Sequence, residues 1–507
     1  MIITERIAII DLGSNSARLI IMHTYSNGAY NLVYNQKETV RLSEGMSKDG
    51  LLQPTAMIRA IATLQVFAHM IRLFNVNKIM AIATAAVRNA KNGSEFIQTA
   101  RQETGIPLRM ISGEAEAKLG FLGVVNTLDV TDALLFDLGG GSTELTLIRS
   151  RNADKVISLP FGAVNLAEKF ELQKKISDSR LNELRDFIFH QISRIKWLKS
   201  LSLPLIGVGG TARNIAKMDQ RCKNYPFGKV HNYRLGALSF HELFKQLSTT
   251  TLSQRRKTPG LSSERADIIL PGMSIVSCLF DYTQASQLII SGCGVREGMF
   301  LQYYRSCQGQ NEVIADILDH STRNMLSFYQ VDASHATHVA ILAASLLKGW
   351  QPLLNTDSRE KTLLQVAALL HDCGIPINYY DHPRHSAYLI ENARLFGLTH
   401  REQMLVAVIA GWHNGPSGKY IRNKLYSEFF DKPDWETARK LSLLLAMAES
   451  LDITQMQLVQ AVTATLEEGQ AVLRLTVSES AAIEEEAVMK HSKWFKKELG
   501  VPLCLQS

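Results

Sequence analysis

Two short stretches of this 507-residue chain hold residue types that handle phosphate. One is DLGGGSTEL, Asp137 to Leu145, directly behind the apolar run ALLF; the other is DLGSNSAR, Asp11 to Arg18, behind IAII. A tight turn between two strands presents successive backbone N–H groups into one concavity, and such nests bind anions. Glycine lets the backbone approach the anion closely and take up φ > 0. In DLGGGSTEL the hydroxyls of Ser142 and Thr143 add donors. Asp137 and Glu144 would repel a phosphate, but Mg²⁺ between them and the phosphate oxygens removes the conflict, because Mg²⁺ favours hard oxygen ligands. Both carboxylates are therefore read as magnesium ligands, some through water. Taken alone, either turn is as readily a plain strand connection.

The two stretches are copies of each other. AIIDLGSNSARLIIM (8–22) aligns without a gap on LLFDLGGGSTELTLI (134–148), placing Asp11 over Asp137, Gly13 over Gly139, Ser16 over Ser142 and Arg18 over Glu144. Their separation of 126 residues is a domain length rather than a solenoid period, so two related α/β halves are expected. Paired nests from two halves would face each other across a cleft and clamp one phosphate chain.

The elements that must hold these turns follow from periodicity. Strands are predicted at 7–13, 17–24, 30–42, 78–84 and 108–112, with an amphipathic helix over 54–74 opening on Pro54. The programme restarts at 132 with two strands around the glycine turn, a third at KVISLP, a long helix over 176–200 and a buried strand entering GVGGTARN. That alternation is an α/β layer fold. From about 306 to 451 amphipathic helices take over, and QAVLRLTVS (470–478) then returns to strand before a basic C-terminal helix. The expected organisation is 1–125 and 126–305 as the two α/β domains, 306–451 as a helical domain, and 452–507 as a small α+β domain.

Composition narrows the class further. With 46% hydrophobic and 20% charged residues the chain reads as globular. No stretch approaches 18 consecutive apolar residues and the N-terminus lacks a signal-peptide pattern, so no transmembrane segment and a cytoplasmic setting are expected. The six cysteines form no CxxC pair and read as free thiols. A net charge of +7 suits a polyanionic substrate, but no basic stripe with interleaved aromatics appears, which argues against sequence-specific nucleic-acid binding.

Seven stretches together carry a resemblance: the DLGSNSxR turn, TAAVRNAKN (84–92), ISGEAEAKLGFLGV (111–124), DLGGGSTEL, GVGGTARN (207–214), ERADIILPG (264–272) and SGCGVREG (291–298). In this order they resemble the exopolyphosphatase and guanosine pentaphosphate phosphatase (Ppx/GppA) family, in its long form. The resemblance implies two actin-like domains around a cleft, of the ribonuclease-H-like fold shared by actin and the sugar kinases, followed by an HD-like helical domain. It also implies a homodimer, and either inorganic polyphosphate or guanosine pentaphosphate as substrate. Glu116, the last glutamate of the SGExEA motif, takes the role of the carboxylate that activates water, a role phosphoryl transfer requires. Ser14, Asn15, Ser16, Gly139, Gly140, Gly141, Ser142 and Thr143 become the phosphate loops. Arg88 corresponds to the family's phosphate-facing arginine. Arg265 is either a second one or a structural ion-pair partner, and Gly209, Gly210 and Thr211 match a loop that lies near nucleotide in kinases of this fold. A kinase or ATP-driven switch is the rival function that the fold permits.

His338, His371, Asp372 and Asp452 form the order H…HD…D, which resembles the HD superfamily of metal-dependent phosphohydrolases, with His385 and His413 as further candidates. The resemblance implies either a second metal site or a scaffold that has kept its ligands.

Overall fold

The computed structural model describes residues 1–46, 49–172, 177–415 and 424–506. The chain divides into two compact units, Met1–Ser26 with Tyr30–Ala315, and Asn27–Ala29 with Asp316–Ser507.

The first unit is built on two sheets. In one, β1 (Ile3–Leu12), β2 (Ser16–Tyr25), β3 (Tyr30–Thr39), β4 (Lys78–Ala83) and β5 (Leu108–Met110) lie in the order β3-β2-β1-β4-β5. The first three pair antiparallel, whereas β4 and β5 run parallel to β1. The second sheet repeats this with β6 (Ala133–Leu138), β7 (Thr143–Arg149), β8 (Asn152–Leu159), β9 (Leu205–Val208) and β11 (Gln287–Ile290), and adds β10 (Tyr233–Gly236) on the far edge. This is the actin-like topology twice over. The central strands explain why: IAII and ALLF are buried without interruption, as strands covered by helices on both faces must be.

Helix α1 (Pro54–Leu73) puts Ala60, Leu64, Phe67 and Ile71 against the first sheet at helical spacing. Burying each of the three larger side chains contributes about 1.5–3 kcal/mol. By length and composition α1 alone among the described residues is apolar enough to cross a membrane, a property the sequence reading did not assign to it. One third of its most apolar window is buried inside the fold. The helix predicted over 176–200 forms over Asp178–Ser193, and its first residue lies outside those described.

Three further helices carry functional side chains: α2 (Ala85–Asn89), directly after β4; α3 (Gly113–Val125); and α4 (Gly210–Cys222), directly after β9. Ser112 caps α3, its hydroxyl accepting from the Ala115 N–H at 3.1 Å. Helix α5 (Val295–Cys307) then packs on α3 with backbone nearly touching backbone. A Cβ on Gly123 would stand 2.0 Å from the Gly294 carbonyl oxygen, and one on Gly298 would stand 1.9 Å from that of Leu119.

The second unit holds α6 (Ala333–Gly349), α7 (Ser358–Leu370), α8 (His382–Asn392), α9 (His400–Gly411) and α10 (Lys432–Ser450), with a sheet of β12 (Val459–Glu467), β13 (Gln470–Val477) and β14 (Leu503–Gln506). Trp350 ties helices to sheet within this unit, its indole N–H donating to the Thr465 carbonyl at 3.0 Å.

The α3–α5 contact positions Glu116, so its disruption is measurable. Gly123→Ala is expected to cost about 1–3 kcal/mol, because the obstacle is backbone and cannot rotate away. Gly228→Ala, where a Cβ meets nothing within 4 Å, is expected to melt like the parent. Thermal unfolding of both variants, followed by circular dichroism, makes the comparison.

Candidate active site

The repeat seen in the sequence is a repeat in space. Asp11 pairs directly across the ladder with Arg18, and Asp137 with Glu144. Each turn closes on the same hydrogen bond, the Gly13 N–H to the Ser16 carbonyl and the Gly139 N–H to the Ser142 carbonyl, both at 3.0 Å. The two turns meet tip to tip. A Cβ on Gly141 would lie 2.7 Å from the Ser14 hydroxyl, and one on Gly140 would lie 3.2 Å from the Ser14 Cβ. Glycine is needed here for space, not for conformational freedom: neither Gly140 nor Gly141, nor Gly139, has φ in the left-handed region. Gly209 at the start of α4 does, with φ +100°.

Between the turns lies a cavity of about 110 Å³. Ser14, Asn15, Ser16, Gly139, Gly140, Ser142, Gly209, Gly210, Arg265, Glu116 and Asp137 all line it. Other expected residues do not. The Thr143 hydroxyl is buried and donates to the Phe161 carbonyl at 2.8 Å, so it has no hydrogen left for a phosphate. Thr211 is fully buried against Gly272, and Gly141 faces Ser14 rather than the cavity. Arg88 sits beside the cavity, donating to Glu116 at 2.9 Å and to the Ile111 carbonyl at 3.0 Å, with Glu144 3.9 Å away. Arg265 forms no ion pair among the described residues; its guanidinium lies over Gly210, where a Cβ would overlap it.

The sequence reading missed three arginines. Arg18, Arg213 and Arg296 line the same cavity as Arg265. Arg296 donates to Asn35 Oδ1 at 3.2 Å, while the guanidinium groups of Arg18, Arg213 and Arg265 have no hydrogen-bond partner among the described residues. Burial and mutual repulsion lower the pKa of Arg18 to about 9 and those of Arg213 and Arg265 to about 10. All three stay charged at neutral pH and offer guanidinium forks suited to phosphate oxygens. The signal was present in Arg18, which departs from its repeat partner Glu144, and in arginines that follow the GVGG and SGCG turns.

Asp11, Glu116 and Asp137 line the cavity with these cations, and Glu144 is buried beside them. Burial raises the pKa of Asp11, against the pull of Arg18 and Arg296. Burial, with help from Glu144 and Asp11, pushes Asp137 up to about 7. Burial also raises Glu144, although hydrogen bonds from Ser142 and Ser158 and the nearby Arg88 oppose it. Glu116 is raised well above the ordinary carboxylate range by burial and by Glu144, with Arg88 holding it back. An all-oxygen donor set of this kind fits a hard divalent cation. Among the described residues no three of these carboxylates converge tightly enough to cage one. That is how Mg²⁺ is commonly held, by one or two carboxylates with waters and substrate oxygens completing its shell.

In the helical unit the expected set comes together only in part. His371, Asp372 and Asp452 lie in one cluster, but His338 turns away, its Nε2 2.8 Å from the Val459 carbonyl. His335, one turn earlier on α6, takes the place expected for His338. His382 enters in place of His385, and His413 joins.

Actin-like halves that close two anion-binding turns and a group of guanidinium forks on one cavity define an enzyme class acting on phosphate chains. The family comparison is specific: residues 20–306 match the model of the Ppx/GppA phosphatase family and residues 317–492 that of its domain III, so the chain belongs to that family and is a phosphoanhydride hydrolase. An exopolyphosphatase from Cytophaga hutchinsonii shares the fold with 24% identity and TM-score 0.56, covering 61% of this chain and 100% of its own. The Aquifex aeolicus member of the Ppx/GppA family is 28% identical with TM-score 0.52, covering 61% and 99% respectively.

Arg88 opposes the rise in the Glu116 pKa, which gives a pH test. Removing the cation in Arg88→Gln raises the Glu116 pKa further, so the acid limb of the kcat/KM profile is expected to move to higher pH by roughly one unit. A profile superimposable on the parent's would show that Arg88 acts elsewhere.

Proposed function

We propose that the protein releases terminal orthophosphate from inorganic polyphosphate by attack of water in the cleft. The observation that carries this reading is the placement of Glu116, a carboxylate whose pKa burial raises, in the lining of the same cavity as the two glycine turns and the arginines. A general base works best when its pKa lies near the working pH. Glu116 takes a proton from water as the water oxygen bonds to the terminal phosphorus. The bond from that phosphorus to the bridging oxygen breaks, and the shortened chain keeps the oxygen and the electron pair.

Arg18, Arg213, Arg265 and Arg296 offset the charge of the phosphates behind the terminal one, and the turn amides orient the terminal group. Asp137 and Glu144 are the residues to hold Mg²⁺, with Asp11 beside them; the ion would supply charge neutralisation at the reacting phosphate. Positioning and charge account for most of what phosphoryl transfer asks of a protein.

The alternative within the class is removal of the 5′ γ-phosphate of guanosine pentaphosphate, since the same cations serve any phosphate chain. Purified protein assayed on both substrates with Mg²⁺, beside Glu116→Gln, decides between them. Phosphate release from polyphosphate is expected, falling by about 10²–10⁴-fold in Glu116→Gln. Normal release by that variant would refute the mechanism, and release from guanosine pentaphosphate alone would reassign the substrate.

A further inference from the structure

Arg265 is 8% exposed in the cavity lining, and the nearest strong electrostatic influence on it, Arg18, repels it. A long charged side chain in that setting would gain hydration and rotamer freedom by swinging out to water. It stays only where the backbone on either side of it is held.

Both flanks are tied to the other half of the fold. Lys37 and Thr39 stand two residues apart on β3 and so share a face of that strand. The Lys37 ammonium and the Thr39 hydroxyl both donate to Glu264, Thr39 at 3.0 Å. Two residues beyond Thr39, Arg41 pairs with Asp267 at 3.0 Å. From behind, the fully buried Arg255 donates to the Ala266 carbonyl at 3.1 Å. Residues 264, 266 and 267 are each anchored, and of these four neighbours Arg265 alone lines the cavity. Glu264 and Asp267 also attract the Arg265 guanidinium, against the push of Arg18.

The anchor on the first half is continuous with the phosphate site. Lys37 stands across the ladder from Arg18, and Arg18 across from Asp11, so one row of paired residues runs from the cavity to the edge strand. Arg41 has φ +44°, a left-handed conformation that a residue with a side chain adopts at a cost. It is held there by its N–H, donated to the Asn15 carbonyl at 3.0 Å, and by its guanidinium on Asp267. One residue therefore grips the first phosphate turn with its backbone and the Arg265 segment with its side chain.

We propose that Glu264 and Asp267 are positioning residues, clasped by Lys37, Thr39 and Arg41 so that Arg265 is held in the cavity at a fixed distance from the first phosphate turn. The inference rests on the reading of the cavity as a phosphate-chain site, and it adds the means by which an unpaired guanidinium is kept ready for the chain. Ordering the side chain before the ligand arrives lowers the cost of binding. The Lys37 and Glu264 side chains are 31% and 42% exposed, so their ion pair contributes little to global stability. Loss of the clasp is therefore read in affinity rather than in the melting temperature.

The test titrates the full chain with inorganic tripolyphosphate by calorimetry without Mg²⁺, and measures KM and kcat for polyphosphate with Mg²⁺. Glu264→Ala is expected to raise both the tripolyphosphate Kd and the KM by about three- to tenfold, with kcat within about twofold of the parent and the thermal midpoint unchanged. Lys37→Met, which opens the clasp from the other half, should give the same shift. In an Arg265→Met background neither substitution should raise Kd by more than about a further twofold, because the clasp acts through Arg265. A full further increase in that background would overturn the proposal. So would a Kd unaltered in both single variants, a fall in kcat at constant Kd and KM, or a parent that binds no tripolyphosphate. Binding that obeys this cycle in a protein releasing no phosphate from polyphosphate would uphold the clasp and reassign the substrate of the cleft.

Discussion

Four carboxylates held out of water in one cleft are the constraint to which the rest of the phosphate site answers. Burial raises the pKa of Asp11, Glu116, Asp137 and Glu144, and at Glu116 and Asp137 the neighbouring acids Glu144 and Asp11 add to it. The protein spreads the opposing charge among separate cations rather than pairing each acid with one base. Arg88 touches Glu116 and approaches Glu144. Arg18, Arg213, Arg265 and Arg296 line the same cavity, and burial together with neighbouring guanidinium groups lowers the pKa of the first three. A cleft arranged this way carries unrelieved like charge, which, under the proposed function, a polyanion at the arginines and a hard cation at the acids would relieve. Binding energy from remote phosphates would then offset the repulsion among the arginines.

Duplication explains how one chain builds both sides. The same turn, closed by the same hydrogen bond at the same register, stands at the end of β1 and of β6. One substitution separates the halves chemically: the residue across from the first aspartate is Arg18 in one copy and Glu144 in the other. The first copy therefore presents a cation to the cavity, and the second pairs two acids. Gly140 and Gly141 allow the copies to approach until backbone meets side chain, which keeps the phosphate loops at a fixed separation.

What the sequence made legible was the part of the site written in local pattern. The turns, the strands that carry them, and Ser14, Ser16 and Ser142 all follow from alternation and repeat. Arg213 and Arg296 stand in motifs that were quoted but were not singled out, because only the packing of β9 and β11 side by side brings their helices to one cavity. Thr143 shows the converse, a hydroxyl well placed in sequence whose hydrogen is already given to Phe161. In the helical unit the error was one of helical register. His335 and His338 stand one turn apart on α6, as do His382 and His385 on α8. Both members of such a pair lie near the same face, so spacing cannot say which reaches the centre. Ladder contacts and ring hydrogen bonds decide it, with His338 going to the first residue of β12.

The two clusters also differ in donor chemistry in a way that bears on how one chain would keep two ions apart. The cleft offers carboxylate oxygens that do not close into a cage, a set suited to an ion that keeps its waters and exchanges quickly. The helical cluster offers four imidazole nitrogens, each fixed by a hydrogen bond behind it, around a carboxylate whose pKa those rings hold below its usual range. Softer donors and rigid orientation favour slow exchange of a borderline ion. Selectivity of this sort needs no gate and no contact between the sites. It follows from which atoms each cluster presents, carboxylate oxygens in the cleft and imidazole nitrogens around one carboxylate in the helical unit.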